Sequence, residues 1–324
     1  MVEDRRNNPV RNRATEFRLL QQNILAYTYE FVPGFAEAGI NGLAFDALIE
    51  QAITNAREEG ALFFQRDFRI ESNAVAKVAG DIFEEVEAAV HWNAAARWNR
   101  YSLEGEWPQA PRYTRPSTPP HDANPVAVLS LPRRYDWVRL LDEGAAAQVV
   151  ALRAELGEHG LSLPTSTPDL LIVELPAELH EDRRFRTELP DLSLESQAIL
   201  DRAYLDLQNA VPATGFLLAV AFKKSLRSDR LYQPLYEANV MQLILEGRLG
   251  AEQVDFEVHT LESTGTRAAE TYRSASLALV TARDARPHRA VRELYEPPTA
   301  QDLVRRLFAF LDYRAGTGPA PVLP

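Results

Sequence analysis

Residues 216–225, Phe-Leu-Leu-Ala-Val-Ala-Phe-Lys-Lys-Ser, form an apolar run that ends in two adjacent lysines. A continuous run of this kind is typical of a β-strand that is covered on both faces. A second run, Leu170 to Val173, comes earlier, and helical spacing over 194–209 separates the two. A third strand is indicated at Phe256 to Thr260. The pattern predicts an α/β (α+β) fold in which a mixed β-sheet is flanked by helices.

Apolar residues at helical spacing predict the other helices, at 14–29, 43–58, 73–99, 135–159, 235–248 and 299–313. The last of these follows Pro297-Pro298-Thr299, a stop and cap signal. Six prolines in 103–125 predict an extended loop, and the tail at 316–324 is rich in Gly, Pro and Ala, so we expect it to be flexible. Because no linker divides the chain, we expect one domain over 1–324.

The composition limits the classes of protein to consider. The chain has no cysteine, which excludes disulfides, thiolate zinc sites and cysteine nucleophiles. It also has no apolar N-terminal stretch, so we expect a cytoplasmic protein. The net charge of -11 argues against nucleic-acid binding, but arginines cluster in the N-terminal arm (1–18) and basic residues cluster again in 223–230.

Two residues at predicted strand ends suggest catalysis. Asp169 opens the first buried strand, and Lys223 ends the apolar run of the second. If these strands are neighbours, the carboxylate and the ammonium lie close together. A carboxylate can hold a hard divalent cation, and an ammonium can orient a water and offset charge, as phosphodiester hydrolysis requires.

Further acids could complete such a site. The commonest nuclease pattern has an acid two residues before the lysine, but that position is Ala221. Glu237, expected in the first turn of the next helix, could replace it, and Glu84 lies on the long helix after Gly80, whose small size would allow close approach to the sheet. For Glu84 alone, a solvated helix acid is the commoner explanation.

The segment 225–230, Ser-Leu-Arg-Ser-Asp-Arg, places an aspartate between two arginines. Guanidinium groups can bind guanine O6 and N7, and a carboxylate can accept from cytosine N4. A surface salt-bridge cluster explains the same residues equally well, so composition alone leaves both interpretations open.

Residues Lys223-Lys224-Ser225-Leu226-Arg227-Ser228-Asp229-Arg230, followed by Glu237, resemble the K-x-S-x-R-x-D-R…E signature of the CCGG-cutting branch of PD-(D/E)xK restriction endonucleases. That branch also lacks the acid at the position of Ala221. Stretches from Pro9 to Asp312 are similar to a member of the branch that cuts the octamer CRCCGGYG, so the resemblance covers nearly the whole chain.

The resemblance implies a restriction-endonuclease-like three-layer core and a type II enzyme that uses Mg²⁺, for which Mn²⁺ can substitute. Asp169, Lys223 and Glu84 would form the metal and catalytic centre, with Glu237 as the supporting acid and a metal ligand. The implied DNA contacts are Arg227, Asp229 and Arg230 at the CCGG core, Lys224 and Ser225 beside them, and Arg11, Arg13 and Lys77 towards the outer base pairs.

The resemblance also implies partners: duplex DNA, a second copy of the chain in a homodimer, further assembly on DNA, and a cognate DNA methyltransferase. Two other hypotheses remain open from the sequence. One is a catalytically weak DNA-binding protein on the same fold, and the other is an acidic module that binds a partner protein.

Overall fold

The computed structural model describes residues 45–65, 67, 72–105, 124–131, 135–165, 167–190, 194–226, 231–262, 266–277 and 288–316. The helix predicted at 14–29, the N-terminal arm, most of the proline-rich segment and the tail beyond residue 316 lie outside these residues.

Seven α-helices and five β-strands are found in the described residues. The helices are α1 (Phe45–Phe64), α2 (Ser72–Glu104), α3 (Glu143–Glu158), α4 (Leu194–Asp206), α5 (Tyr232–Gln242), α6 (Thr266–Thr271) and α7 (Ala300–Arg314). The strands are β1 (Val126–Ser130), β2 (Leu170–Glu174), β3 (Phe216–Ser225), β4 (Asp255–Glu262) and β5 (Glu293–Tyr295). No helix in this part of the chain combines the length and apolarity that crossing a membrane requires.

The strands form one sheet in the order β1-β2-β3-β4-β5. The β1–β2 and β2–β3 pairs are antiparallel, whereas β3–β4 and β4–β5 are parallel. Helix α2 packs against β1, β3 and α7, and α4 packs against β1. The predicted mixed sheet with flanking helices is therefore confirmed.

The β2 and β3 strands are buried along their apolar runs, as their sequences predict. Two strands were not predicted. β1 directly follows Pro125, the end of the predicted loop, and β5 has only three residues and pairs with β4. Both are edge strands, and only β5 pairs with a longer neighbour; β1 has the length and the burial pattern of β2, so its apolar run was a signal that the sequence analysis did not use.

Several helix boundaries differ from prediction, and two of the differences have a visible cause or consequence. The single helix predicted at 135–159 is a 3₁₀ turn, Trp137–Leu140, followed by α3, because Leu141 bridges to Val211 and the Asp142 amide donates to the Val211 carbonyl. Helix α5 begins at Tyr232, with Pro234 tolerated in its first turn. Glu237 therefore lies in the second turn, which corrects its predicted place in the first.

A buried amide side chain joins three parts of the fold. Asn99 Nδ2, on α2, donates to the carbonyls of Val126 and Phe185, each at 2.8 Å. The Val126 amide donates to Asn99 Oδ1 at 2.7 Å. Because Val126 opens the edge strand β1, one side chain satisfies backbone groups for which no second strand is available.

We expect Asn99→Ala to lower the free energy of unfolding by about 2–3 kcal/mol, because it leaves buried backbone groups of Val126 and Phe185 without partners. Urea denaturation followed by circular dichroism measures the change. Gln148→Ala, at an exposed position of α3, is the control and should change stability by less than about 0.5 kcal/mol. Equal effects of the two variants would contradict this role of Asn99.

Candidate active site

Asp169 is fixed to the sheet through its backbone. Its amide donates to the carbonyl of Val220 in β3 at 3.0 Å, and its carbonyl accepts from the Leu131 amide just after β1 at 2.9 Å. It follows Pro168 and precedes the first residue of β2. The residue is thus hydrogen-bonded to the middle of β3 and to the end of β1, which limits where its side chain can go.

The Asp169 carboxylate contacts β3 at two points. Its Oδ2 accepts a hydrogen bond from the backbone amide of Phe222 at 2.6 Å and lies 3.2 Å from Lys223 Nζ. Asp169 is only partly buried, while the lysine side chain is 12% exposed. Asp169 and Lys223, which the sequence predicted to be neighbours, are therefore in contact at the start of β2, and both are partly exposed to solvent.

The strand register shows what the alanine at position 221 removes. Leu170 pairs with Val220 in the antiparallel ladder, so Asp169 comes opposite Ala221, and Lys223 is two residues further on the same face. Ala221 is fully buried and offers no oxygen ligand. An acid that supports this site therefore has to come from another element.

Glu84 lies on α2, which packs against β3. The neighbouring Phe83 ring makes an edge contact with Phe222, with centroids 5.9 Å apart, and the Glu84 side chain is exposed. The predicted role of Gly80 is wrong: a Cβ built there would meet nothing within 4 Å, so the glycine does not bring the helix closer to the sheet.

Glu237 is buried on α5, where Gln233 Nε2 donates to its Oε1 at 2.8 Å. Tyr236, the preceding residue, donates its hydroxyl to the Pro164 carbonyl at 3.1 Å and so ties α5 to the segment that leads to Asp169. Burial, and then the Glu237 carboxylate, raises the pKa of the Tyr272 phenol. The tyrosine is therefore a neutral neighbour of Glu237, one that sequence reasoning did not identify.

The remaining predicted DNA contacts are described only in part. Lys224 and Ser225 lie half-buried at the end of β3. Lys77 is on α2, but its side chain is not among those described. Arg11, Arg13, Arg227, Asp229 and Arg230 lie outside the described residues, so their predicted contacts stay predictions.

Sequence reasoning also missed a charged cluster inside the molecule. Glu87, His91 and His259 are buried together between α2 and β4, beside Glu257. The spacings Glu87-x-x-x-His91 on a helix and Glu257-x-His259 on a strand each place two polar groups on one face. Those spacings were the only available signal, and they do not show that the pair on α2 contacts the pair on β4 in the folded protein.

A protein-family model described as Cfr10I/Bse634I restriction endonuclease matches residues 29–313. The solved structure "Crystal structure of Type IIF restriction endonuclease Bse634I with cognate DNA" has a TM-score of 0.69 and 16% identity, covering 90% of this chain and 91% of that one. "Bse634I restriction endonuclease" has a TM-score of 0.66 and 17% identity, covering 89% and 90%. No curated protein matches. At these identities the two structures show the fold.

We expect Asp169 and Lys223 to be coupled energetically, because their charges are close and partly shielded from water. In a double-mutant cycle with Asp169→Asn and Lys223→Met, the coupling should be about 1 kcal/mol. Urea denaturation with a chelator present measures it. The exposed pair Asp302–Arg305, 3.3 Å apart on α7, is the control and should give no more than about 0.5 kcal/mol. A coupling near zero for the first pair would contradict the contact.

Proposed function

The chain belongs to the Cfr10I/Bse634I restriction endonuclease family and is a DNA-hydrolysing enzyme, and we propose that it cuts duplex DNA at a palindrome with a CCGG core. The proposed site is the SgrAI-like octamer CRCCGGYG, cut before the first C of the core to leave a 5′-phosphate and a four-base 5′ overhang. The contact between Asp169 and Lys223, at the start of the K-x-S-x-R-x-D-R…E block, carries the proposal.

Among the described residues, the structure does not bring Asp169, Glu84 and Glu237 together as a metal-binding group, but their carboxylates are the oxygen donors that a magnesium ion takes. Both hydrogen bonds of the Asp169 carboxylate reach Oδ2, which leaves Oδ1 without a partner among the described residues. We propose Asp169, Glu84 and Glu237 as the residues that hold the ion, since Mg²⁺ takes oxygen ligands and Mn²⁺ accepts the same set. When bound, the ion would polarise the phosphate and make a water more acidic.

Within this proposal the protein groups have separate tasks. The Phe222 amide fixes the Asp169 carboxylate, so the acid is in place before DNA binds. Lys223 Nζ donates to that carboxylate and keeps further N–H groups for the attacking water and a phosphate oxygen. Its positive charge offsets the charge that develops on the phosphate as the bond to the leaving 3′-oxygen breaks.

Base recognition is proposed for the residues just after β3. Leu226, which directly follows β3, and Leu231, which precedes α5, are both buried, and the four proposed recognition positions lie between them in the sequence. We propose that Arg227 and Arg230 bind guanine and Asp229 accepts from cytosine in the major groove. Lys224 and Ser225 would contact the neighbouring backbone, Arg11 and Arg13 the minor groove, and Lys77 the outer base pairs.

The palindrome suggests a homodimer in which each subunit binds one half-site. Two subunits would cut the two strands four bases apart and so produce the overhang. Further assembly on DNA and a cognate methyltransferase that protects host sites are the other proposed partners. We propose that the enzyme acts in the cytoplasm, where both it and the methyltransferase would meet DNA.

The cleavage test uses a plasmid with one CRCCGGYG octamer and several isolated CCGG sites, incubated with Mg²⁺ and followed by mapping of the ends. We expect cleavage at the octamer only, and a loss of at least about 100-fold in rate for Lys223→Ala and Asp169→Asn. Asp46→Asn, at an exposed position of α1, is the matched control and should cut normally.

Each other outcome has a defined meaning. Cutting at every CCGG would refute the octamer and the outer-base roles of Arg13 and Lys77. Salt-dependent DNA binding without cleavage would favour the catalytically weak alternative for this chain. Full activity of Lys223→Ala would remove the lysine from the mechanism.

The recognition residues are tested by binding in Ca²⁺, which keeps the DNA intact if Ca²⁺ does not support cleavage. We expect Arg227→Ala to weaken binding to a CRCCGGYG duplex by about 5- to 150-fold, with a much smaller effect on a scrambled duplex, because the bidentate contact to one base is lost. Fluorescence anisotropy at fixed salt measures both. Arg248→Ala, exposed after α5, is the control. Equal weakening on both duplexes would show that Arg227 contacts only the backbone.

A further inference from the structure

The charged cluster between α2 and β4 consists of Glu87 and His91 on α2, His259 and Glu257 on β4, Arg306 on α7 and Glu293 on β5. Its centre is almost completely closed to solvent, because the side chains of Glu87, His91, Glu257 and His259 are at most 3% exposed. Buried charges are costly unless they are paired or bind a metal. The cluster therefore requires an explanation that the DNA-cutting site does not supply.

Three donor groups in this cluster converge. Glu87, His91 and His259 each place one metal-ligating atom within 4.8 Å of the others. His259 Nδ1 is 2.7 Å from Glu87 Oε2, and His91 Nδ1 is 3.8 Å from the same oxygen. The second carboxylate oxygen, Glu87 Oε1, is buried and has no hydrogen-bond partner among the described residues. A buried carboxylate oxygen normally contacts a cation or a hydrogen-bond donor, and the described residues provide no donor to Glu87 Oε1.

The groups around His259 have the arrangement that supports a metal ligand. His259 Nε2 is 3.1 Å from Glu257 Oε2, and Arg306 holds both Glu257 oxygens at 2.8 Å. A ligating histidine usually donates its other ring N–H to a carboxylate, which fixes the ring and its tautomer. With Nε2–H donating to Glu257, Nδ1 of His259 faces Glu87 Oε2 at hydrogen-bond distance, so an ion would take the place of the proton between them.

His91 is suited to the same role. Its Nδ1 is 2.7 Å from the Glu87 carbonyl one turn earlier in the helix and 3.8 Å from Glu87 Oε2, so Nδ1 would exchange that hydrogen bond for the ion. A neutral imidazole is the form that binds metals.

The charge of the cluster also favours a dication. Three carboxylates, Glu87, Glu257 and Glu293, face a single guanidinium, that of Arg306, among the described residues. Two negative charges remain. A proton on His259 would neutralise one of them, whereas a divalent metal bound to neutral histidines would neutralise both.

We propose that Glu87, His91 and His259 form a second metal site, separate from the magnesium site, that binds one divalent transition metal ion, zinc by preference. Two imidazoles and a carboxylate suit zinc better than magnesium, which takes oxygen ligands. If both Glu87 oxygens bind, the set provides four donor atoms, and the unpartnered Oε1 gains its partner.

The site would stabilise the strand that carries the proposed catalytic residues. The Phe222 ring lies 6.0 Å from the His259 ring, and the Phe222 amide holds Asp169. The ion would join α2 to β4 directly behind this strand. Its role is structural, because the cluster is closed to solvent and to DNA.

The competing occupant is a proton. In the absence of metal, the Glu87 and Glu257 carboxylates raise the pKa of His259 to about 9 in spite of its burial. An imidazolium would then bridge the two acids. Metal analysis distinguishes the two occupants, because mass spectrometry detects a bound metal ion but would not report a proton.

The test measures metal in the full-length protein by mass spectrometry, first as purified without a metal-affinity step and then after unfolding and refolding with Zn²⁺ or Co²⁺. We expect one ion per chain in each case, visible absorption bands of low-symmetry Co²⁺, and a higher melting temperature with Zn²⁺ than with chelator. Wild-type protein that binds no ion in either preparation would overturn the proposal and leave the proton as the occupant.

Variants assign the ion to its site. His91→Gln should lose the bound ion, whereas His180→Gln, whose ring nitrogen lies 2.9 Å from the Leu175 carbonyl just after β2, should keep it. Asp169→Asn should also keep it, which separates this site from the proposed catalytic one. An ion lost in Asp169→Asn but kept in His91→Gln would refute the assignment. None of these readings depends on DNA cleavage, so failure of the proposed cleavage specificity would leave the metal result intact.

Discussion

The hydrogen bond from the Phe222 amide to the Asp169 carboxylate is the contact on which the proposed active site depends. An amide in the middle of a ten-residue strand cannot turn, because the ladder with β4 fixes its direction. The Asp169 carboxylate accepts a hydrogen bond from this fixed amide, so the sheet determines its orientation. Lys223 follows Phe222 by one residue, so the same stretch of β3 sets the position of both charged groups. A site built in this way needs little rearrangement before reaction, which is the condition for strong electrostatic catalysis.

The arrangement also shows which ligand the supporting acids have to replace. The β2–β3 register puts Ala221 opposite Asp169, so the position where the commonest nuclease pattern has its second acid provides no oxygen ligand in this chain. Glu84 and Glu237 instead belong to helices that approach β3 and the segment before Asp169, and one of them is exposed while the other is buried. Two acids in such different surroundings are suited to different tasks.

The sequence predicted the centre of the sheet better than its edges. The runs in β2 and β3 are apolar because both faces are covered, and this constraint is visible without any knowledge of neighbours. β5 exists through pairing with β4, because three residues of local sequence carry too little signal, whereas β1 has an apolar run like that of β2 and was hidden only by the proline-rich segment before it. The contact between Asp169 and Lys223 could be anticipated because both residues sit at the ends of recognisable strands. The meeting of Glu87 with His259 could not, because 172 residues separate them and each alone is an ordinary polar residue.

The two clusters of charge in this molecule illustrate different solutions to one physical problem. At the sheet edge, Asp169 and Lys223 retain contact with water, so their charges stay free to change partners when DNA and an ion arrive. Between α2 and β4, solvent is excluded, and each charge must be satisfied permanently by its neighbours. Arg306 does this for Glu257 and Glu293, but Glu87 has one oxygen with no hydrogen-bond partner among the described residues. Because a buried ion pair of this kind gives little stability by itself, a network of six polar groups in the core is better explained by an ion that holds it together than by the pairs alone.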